Sequence, residues 1–280
     1  MKTRYKTIVI SDVHLGIKNS RVKELVKFLK QHKCEKLILN GDIIDGWQLR
    51  RSGEWKKKHT KFFRIIMKAI EKQKTKVIYL RGNHDDFLNE IIPFEIGNFS
   101  IANEHIHESN GKKYFVVHGD IFDPVTTRLK WLAKLGDVSY TFILWLNRHY
   151  NNYRVKRGLP YYSLSQVIKH KVKSAVSFIS DYEDQLSAVA KIKKCDGIIC
   201  GHIHQPANKM IGDVHYLNSG DWVESLTALA ETDSGEWEVI YYDVWEKVRA
   251  AKKMIKTENS SLEDEQLFIP VLRNETILRA

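Results

Sequence analysis

Short apolar runs that stop abruptly at polar clusters organise this chain. Ile8–Ile10 ends a strand expected over Lys6–Ile10 and closes on Ser11-Asp12-Val13-His14. Ser20 then reads as an N-cap, because Val22, Leu25, Val26, Phe28 and Leu29 follow at helical spacing with lysines between them. A second strand over Lys36–Asn40 closes on Gly41-Asp42 and Asp45. Residues 54–73 predict a helix with Phe62, Phe63, Ile66 and Ile70 on one side. A third strand, Lys76–Leu80, closes on Gly82-Asn83-His84-Asp85. Strands alternating with helices at this spacing predict βαβ units and a largely parallel sheet, in which ligands gather at the carboxyl ends of strands.

Beyond Phe87 the rhythm shortens. Phe99–Ala102, His105–Glu108 and Lys113–His118 predict short strands, the last two joined by a turn at Asn110-Gly111. The strand Asp196–Cys200 closes on Gly201-His202-Ile203-His204, and His215–Leu217, Thr227–Glu231 and Glu236–Tyr242 complete a second sheet. Between these groups lies an interruption. It holds the aromatic run Tyr140–Leu146 and a helix expected over Leu164–Ile179, with Lys169, His170, Lys171 and Lys173 opposite its apolar face. The expected organisation is a core of residues 1–122 and 186–246, a helical cap inserted at 123–185, and a loosely packed charged tail at 247–280.

Composition narrows the function classes. The 280 residues, 43% of them hydrophobic, suffice for one substantial core with an insertion. No stretch reaches the roughly 18–20 apolar residues of a membrane span. The start of the chain lacks a secretory apolar segment, which predicts a cytoplasmic protein. The three cysteines have no paired spacing and suit reduced, mostly buried thiols. The formal charge of +11 suits a polyanionic partner. Residues 128–173 contribute ten Lys or Arg against one acid, Asp137.

Five strand ends offer metal-ligand types: Asp12 and His14, Asp42 and Asp45, Asn83 and His84, His118, and His202 and His204. Imidazole mixed with carboxylate and amide oxygen suits manganese, iron or zinc rather than a calcium cage. The donors exceed what one ion needs, so two divalent ions sharing a carboxylate is the economical arrangement. Such a pair clamps a phosphate and acidifies a water. Asp45, the second acid of its block, reads as a supporting or turn residue. His105 and His107 alternate on a strand near solvent and read as non-ligands. His32, His59, His149, His170 and His215 read as surface or packing residues.

The blocks Asp12-x-His14, Gly41-Asp42-x-x-Asp45, Gly82-Asn83-His84-Asp85, His118-Gly119 and Gly201-His202-x-His204 together resemble the calcineurin-like metallophosphoesterase signature over about residues 6–245. The resemblance implies an α/β fold, a four-layer α/β/β/α sandwich with an inserted cap. It implies that Asp12, His14 and His204 hold one metal and Asn83, His118 and His202 the other, with Asp42 bridging. His84 would stand beside the scissile phosphate, and Asp85 would orient it by a hydrogen bond. Hydrolysis would need no covalent phospho-enzyme.

The basic apolar insert and the block Asn218–Glu224 are also similar to the bacterial UDP-2,3-diacylglucosamine diphosphatases, which release UMP and a lipid monophosphate in lipid A synthesis. That resemblance implies a nucleotide-linked glycolipid substrate, a manganese centre with iron or zinc as alternatives, and a peripheral place on the anionic inner face of the inner membrane. Substrate contacts are then expected at Asn83, His84, Asp123, Arg154, Arg157 and His202, and no nucleic-acid partner is expected. The chain departs from the best-known members of that group at His84, where they carry Arg. A phosphodiesterase or nuclease of other specificity is the alternative, and a scaffold without catalysis is disfavoured because every ligand position is filled.

Overall fold

The computed structural model describes residues 3–51, 53–122, 150, 153, 154, 156–158 and 164–252. Residues 1–239 form one compact unit and 240–280 a second, of which a helix over 242–252 is described. The expected tail beyond 252 lies outside the described residues, as does the aromatic run at 140–146.

The first unit is built on two sheets. One has seven strands: β1 (Thr3–Ile10), β2 (His32–Asn40), β3 (Lys76–Leu80), β4 (Phe94–Ile96), β5 (Phe99–Ala102), β11 (Thr227–Glu231) and β12 (Trp237–Tyr241), in the order β12-β11-β1-β2-β3-β5-β4. Strands β1, β2, β3 and β5 run parallel, with β11 and β4 antiparallel to their neighbours. The other has five strands: β6 (Glu104–Ser109), β7 (Lys112–Val117), β8 (Gly197–Cys200), β9 (Ala207–Ile211) and β10 (Val214–Asn218), ordered β6-β7-β8-β10-β9.

Helices α1 (Val22–Gln31) and α3 (Lys57–Gln73) lie on the seven-stranded sheet. A long helix, Leu164–Ile192, lies on the five-stranded one. The result is the expected α/β/β/α sandwich. The inner core interleaves Val9, Ile38, Ile78 and Leu80 with Tyr114, Val116, Ile199 and Leu217. Ile8 and Ile10 are equally buried on the other face of β1, as a strand covered on both sides requires. Each such side chain contributes roughly 1.5–3 kcal/mol by leaving water.

Several local expectations are corrected. Ser20 does not cap α1, whose first residue is Val22. Its hydroxyl donates to the Val13 carbonyl at 2.7 Å and ties down the turn after β1. The second helix starts at Lys57 rather than 54, after a short separate helix α2 (Gly46–Arg51) that the periodicity did not resolve. The helix read over Leu164–Ile179 continues to Ile192, and Phe178 and Tyr182 already pack with Phe115, Ile198 and Tyr216.

His107 is buried between the sheets rather than near solvent. Its Nε2 lies 2.9 Å from a Glu231 carboxylate oxygen and its Nδ1 2.9 Å from Lys36 Nζ. Ser109 donates to the same carboxylate. Burial alone would raise the Glu231 carboxyl, but hydrogen bonds from His107 and Ser109 bring it down to about 2. Positive charge is also more widely spread than the insert alone. Residues 50–76 carry eleven Lys or Arg against two acids, and Lys57, Lys61, Arg64 and Lys68 stand exposed on one side of α3.

Candidate metal centre

The polar clusters converge at the carboxyl ends of the parallel strands. Past β1 and β2 the two chains stay zipped together: Asp12 N donates to Gly41 O at 3.1 Å, His14 N to Asp42 O at 2.9 Å and Leu15 N to Ile43 O at 2.8 Å. Asp12, His14, Asp42, His202 and His204 all hold left-handed backbones, with φ between 48° and 68°. That conformation costs an L residue roughly 1–2 kcal/mol. Here it swings consecutive side chains out of the pleat and into one pocket.

Gly41 and Gly82 make the packing feasible. A Cβ on Gly41 would collide with the His118 ring, and one on Gly82 with the Asp42 carboxylate. The segment Asn218–Asp221 braces the loop from behind. Asn218 Nδ2 donates to Gly201 O at 2.9 Å, Ser219 and Ser11 share a hydroxyl contact at 2.7 Å, and Trp222 N reaches Asp12 O at 3.0 Å.

Asp42 sits at the hub. Its Oδ1 accepts the His84 backbone N–H at 2.8 Å. Its Oδ2 has His118 Nε2 at 3.4 Å, His14 Nε2 at 3.8 Å and His84 Nε2 at 3.9 Å. Asp12 Oδ1 faces His204 Nε2 at 3.1 Å and His14 Nε2 at 3.8 Å. Burial would raise both carboxyls. The surrounding imidazoles overcome it: His204 and His118 hold Asp12 well below the usual carboxylate range, and His118 and His14 do the same for Asp42. In the other direction, burial would lower His118, but Asp42 and Asp12 push it up to about 10.

The donors fit divalent ions. Asp12, His14 and His204 form one group with ligand atoms mutually close, and Asp42, His118 and His202 another. His118 Nδ1 lies 2.8 Å from the Asn40 carbonyl, which commits the Nδ1 proton there and leaves Nε2, turned into the pocket, as the nitrogen on which a divalent ion would replace a proton. Asn83 Oδ1 and Asp42 Oδ2 are buried and have no hydrogen-bond donor among the described residues. Buried oxygens left so are costly unless a cation meets them. Asp42 Oδ2, within reach of His14 on one side and His118 on the other, is placed to be shared.

The orienting carboxylate of His84 is not the expected one. Asp85 accepts Ile43 N at 3.0 Å, Ile44 N at 2.9 Å and the Tyr79 hydroxyl at 2.9 Å, so it braces the Asp42 loop. Burial, with the Asp42 charge behind it, pushes its carboxyl up to about 7. It is Asp45 whose Oδ2 lies 3.1 Å from His84 Nδ1 and 3.4 Å from His14 Nδ1. The other oxygen of Asp45 accepts Gln48 N at 2.7 Å and caps α2. Burial would raise Asp45, and the bonds to His14, His84 and Gln48 hold it far below normal. Its signal was present in the repeat of Asp at the end of Gly41-Asp42-x-x-Asp45.

Trp47, which carried no motif, sets its ring over His84 with centroids 4.4 Å apart. Arg154 and Arg157 rest on Tyr150 and Tyr153, at 5.6 and 4.9 Å from the ring centroids. Asp123 lies outside the described residues.

Known proteins resemble this chain over most of its length. The family model described as calcineurin-like phosphoesterase matches residues 5–206. A Vibrio cholerae protein named UDP-2,3-diacylglucosamine hydrolase is 23% identical over 241 residues, covering 80% of this chain and 93% of its own. An Aliivibrio fischeri protein of the same name is 22% identical over 218 residues, covering 76% and 85%. Among solved structures, a Vps29 variant from Entamoeba histolytica is 11% identical, with a TM-score of 0.41 over 84% of this chain and 98% of its own. With five ligand blocks in order, a sandwich that brings them to one pocket and a family match across most of the core, this chain belongs to the calcineurin-like phosphoesterase family of metal-dependent phosphoester hydrolases.

Proposed function

We propose that the protein hydrolyses the diphosphate of UDP-2,3-diacylglucosamine to UMP and a lipid monophosphate. The observation that carries this reading is the match to relatives bearing that substrate's name across 85% to 93% of their length. The basic, aromatic character of residues 128–173 supports it, since acyl chains and a diphosphate need both kinds of side chain.

Two divalent ions, manganese first, would be held by Asp12, His14 and His204 and by Asn83, His118 and His202, and Asp42 would serve both. Bound there, they supply Lewis acidity to phosphate oxygens and lower the pKa of water. His84 gives a proton to the leaving oxygen from Nε2, and Asp45 on Nδ1 keeps that nitrogen aimed. Arg154, Arg157 and Asp123 are assigned to the substrate's phosphate and sugar.

The protein docks on anionic lipid. No described helix is long and apolar enough to cross a membrane, so attachment is by surface charge and exposed aromatic side chains. The exposed lysines and arginines of α3, with half-exposed Trp55 beside them, suit that contact.

Phosphorus NMR of manganese-loaded protein with UDP-2,3-diacylglucosamine tests the substrate. Appearance of UMP and lipid monophosphate is the expected result. No turnover of this lipid, beside clear hydrolysis of a simple phosphodiester, discards the lipid reading. A phosphodiesterase of other specificity then takes its place, a reading favoured by His84 standing where the best-known diphosphatases of this kind carry Arg.

A further inference from the structure

The side chain least explained by the metal centre is Trp47. It is the second residue of α2, directly after the Asp45 cap, and 40% of its surface is exposed. An indole left that open forfeits much of the burial free energy that usually keeps tryptophan inside. Its position is nevertheless pinned. Indole Nε1–H donates to Asp86 Oδ2 at 3.1 Å, and Asp86 is itself held by Arg50 Nη2 at 3.1 Å. The indole bond and the attraction to Arg50 outweigh the effect of burial and keep the Asp86 carboxyl below its ordinary value.

The pinned ring lies against His84. The centroids are 4.4 Å apart and the planes 35° apart, a tilted face contact. On another side the His14 ring meets His84 edge-on, with centroids at 4.7 Å and planes at 90°. Asp45 closes a third direction, 3.1 Å from Nδ1. A ring held by one polar contact alone can still pivot about that contact. Walls on its face and at its edge remove the pivot and fix where Nε2 points. Placement errors of about 1 Å at a reacting centre cost on the order of a hundredfold in rate, so restricting this ring has a kinetic consequence.

We infer that Trp47, anchored by Asp86, is a positioning residue for His84: its indole holds the imidazole plane so that Nε2 meets the leaving oxygen. The inference rests on the proton-donor role given to His84, but not on the identity of the lipid substrate.

The test uses the full-length, metal-loaded protein and a series of aryl phosphodiesters with leaving groups from p-nitrophenol to phenol. Trp47→Ala is expected to lower kcat on the phenyl ester by roughly ten- to a hundredfold, with a smaller loss on the p-nitrophenyl ester, which needs little protonation. KM and metal content are expected to stay within about twofold on either ester. Trp47→Phe, which keeps a ring face, recovers most of the rate. Asp86→Ala, which frees the indole without removing it, shows a milder loss of the same kind.

The double variant Trp47→Ala/His84→Ala is expected to be no slower than His84→Ala alone. The ring protons of His84, observed by NMR, lose their upfield ring-current shift in Trp47→Ala. Additive losses in the double variant, a raised KM with unchanged kcat, or unmoved His84 resonances would each overturn the inference. If His84→Ala leaves the leaving-group dependence intact, the role of His84 fails and the inference with it. If His84→Ala is impaired and Trp47→Ala is not, the inference alone fails.

Discussion

Replacing Asp45 by Asn changes one oxygen into an amide and leaves the volume alone. The new side chain can keep its carbonyl on Gln48 N, so the cap on α2 survives, a contact worth about 1 kcal/mol. What it cannot keep is an acceptor facing two imidazoles. Asp45 Oδ2 stands 3.1 Å from His84 Nδ1 and 3.4 Å from His14 Nδ1, so both rings are assigned a proton on Nδ1: His14 in the neutral form that leaves Nε2 a lone pair, His84 as the acid that carries a second proton on Nε2. An amide N–H in that place opposes those protons. Relief comes at His14 by moving the proton to Nε2, which removes the lone pair facing the pocket, and at His84 by shedding the Nδ1 proton or swinging the ring, which weakens or misdirects the acid.

A close imidazole–carboxylate contact, at the strength of a hydrogen bond to a charged group once aligned, contributes roughly 1.5–3 kcal/mol. With a factor of ten in rate for about 1.4 kcal/mol, losing the one to His84 costs about ten- to 150-fold in kcat. Disturbing His14 as well weakens one metal position. The assay is steady-state hydrolysis of phenyl and p-nitrophenyl phosphodiesters, with metal content by elemental analysis and thermal unfolding on the same preparation. Slower turnover, partial loss of metal and a nearly unchanged melting temperature are expected. A variant with wild-type rates on both esters and full metal content would refute the orientation of His84 by Asp45.

Other consequences are separable from that one. Asp42→Ala removes the hub carboxylate and is expected to lose both metals and activity together; survival of one ion with turnover would sink the shared-ligand arrangement. Chelation lowers the melting temperature, and manganese restores it, because an ion at a hundred times its dissociation constant stabilises the fold by about 2.7 kcal/mol; a melting curve indifferent to chelator would count against an intact site. Glu231 has its carboxyl lowered from 4.5 to about 2 in the fold, so its stabilisation is complete above pH 4.5 and disappears as pH falls through 2. Glu231→Gln should therefore flatten the acid limb of the stability profile, by on the order of 3 kcal/mol, and an unchanged limb would exclude Glu231 as its source. Reversing Lys61, Arg64 and Lys68 to Glu should abolish sedimentation with anionic vesicles at low salt while leaving turnover of small esters intact; undiminished sedimentation would move the docking surface off α3.

The convergence of the candidate ligands was legible because each strand announces itself as an apolar run and each polar cluster follows within a few residues. Chain order then carries spatial order, since parallel strands deliver all their carboxyl ends to one edge. The partner of His84 was not legible in the same way. Asp85 adjoins it in sequence, but the chain enters a 3-10 turn there, and neighbouring side chains diverge. Asp45 arrives from another strand.

His107 failed for a related reason. Alternation along β6 identifies two faces without saying which one meets the second sheet, and the buried Glu231 that claims His107 is 124 residues away. Strands β4 and β9 have mostly exposed residues and no buried alternation, so they exist only by pairing with β5 and β10. Trp47 matched no motif at all. A tryptophan's role depends on which ring it touches, and only folding discloses that.

The left-handed backbone at five ligand positions has an implication for engineering. Glycine or asparagine tolerates that conformation better than histidine, so His14, His202 and His204 occupy places where a chemically inert residue would sit more comfortably. A library of variants sorted only for heat resistance in the presence of chelator, where metal adds nothing to stability, would therefore be enriched in Gly or Asn at these three positions, and its hardiest members would have lost their catalytic power. Selection for thermotolerance in this scaffold has to be run with metal retention as a second criterion.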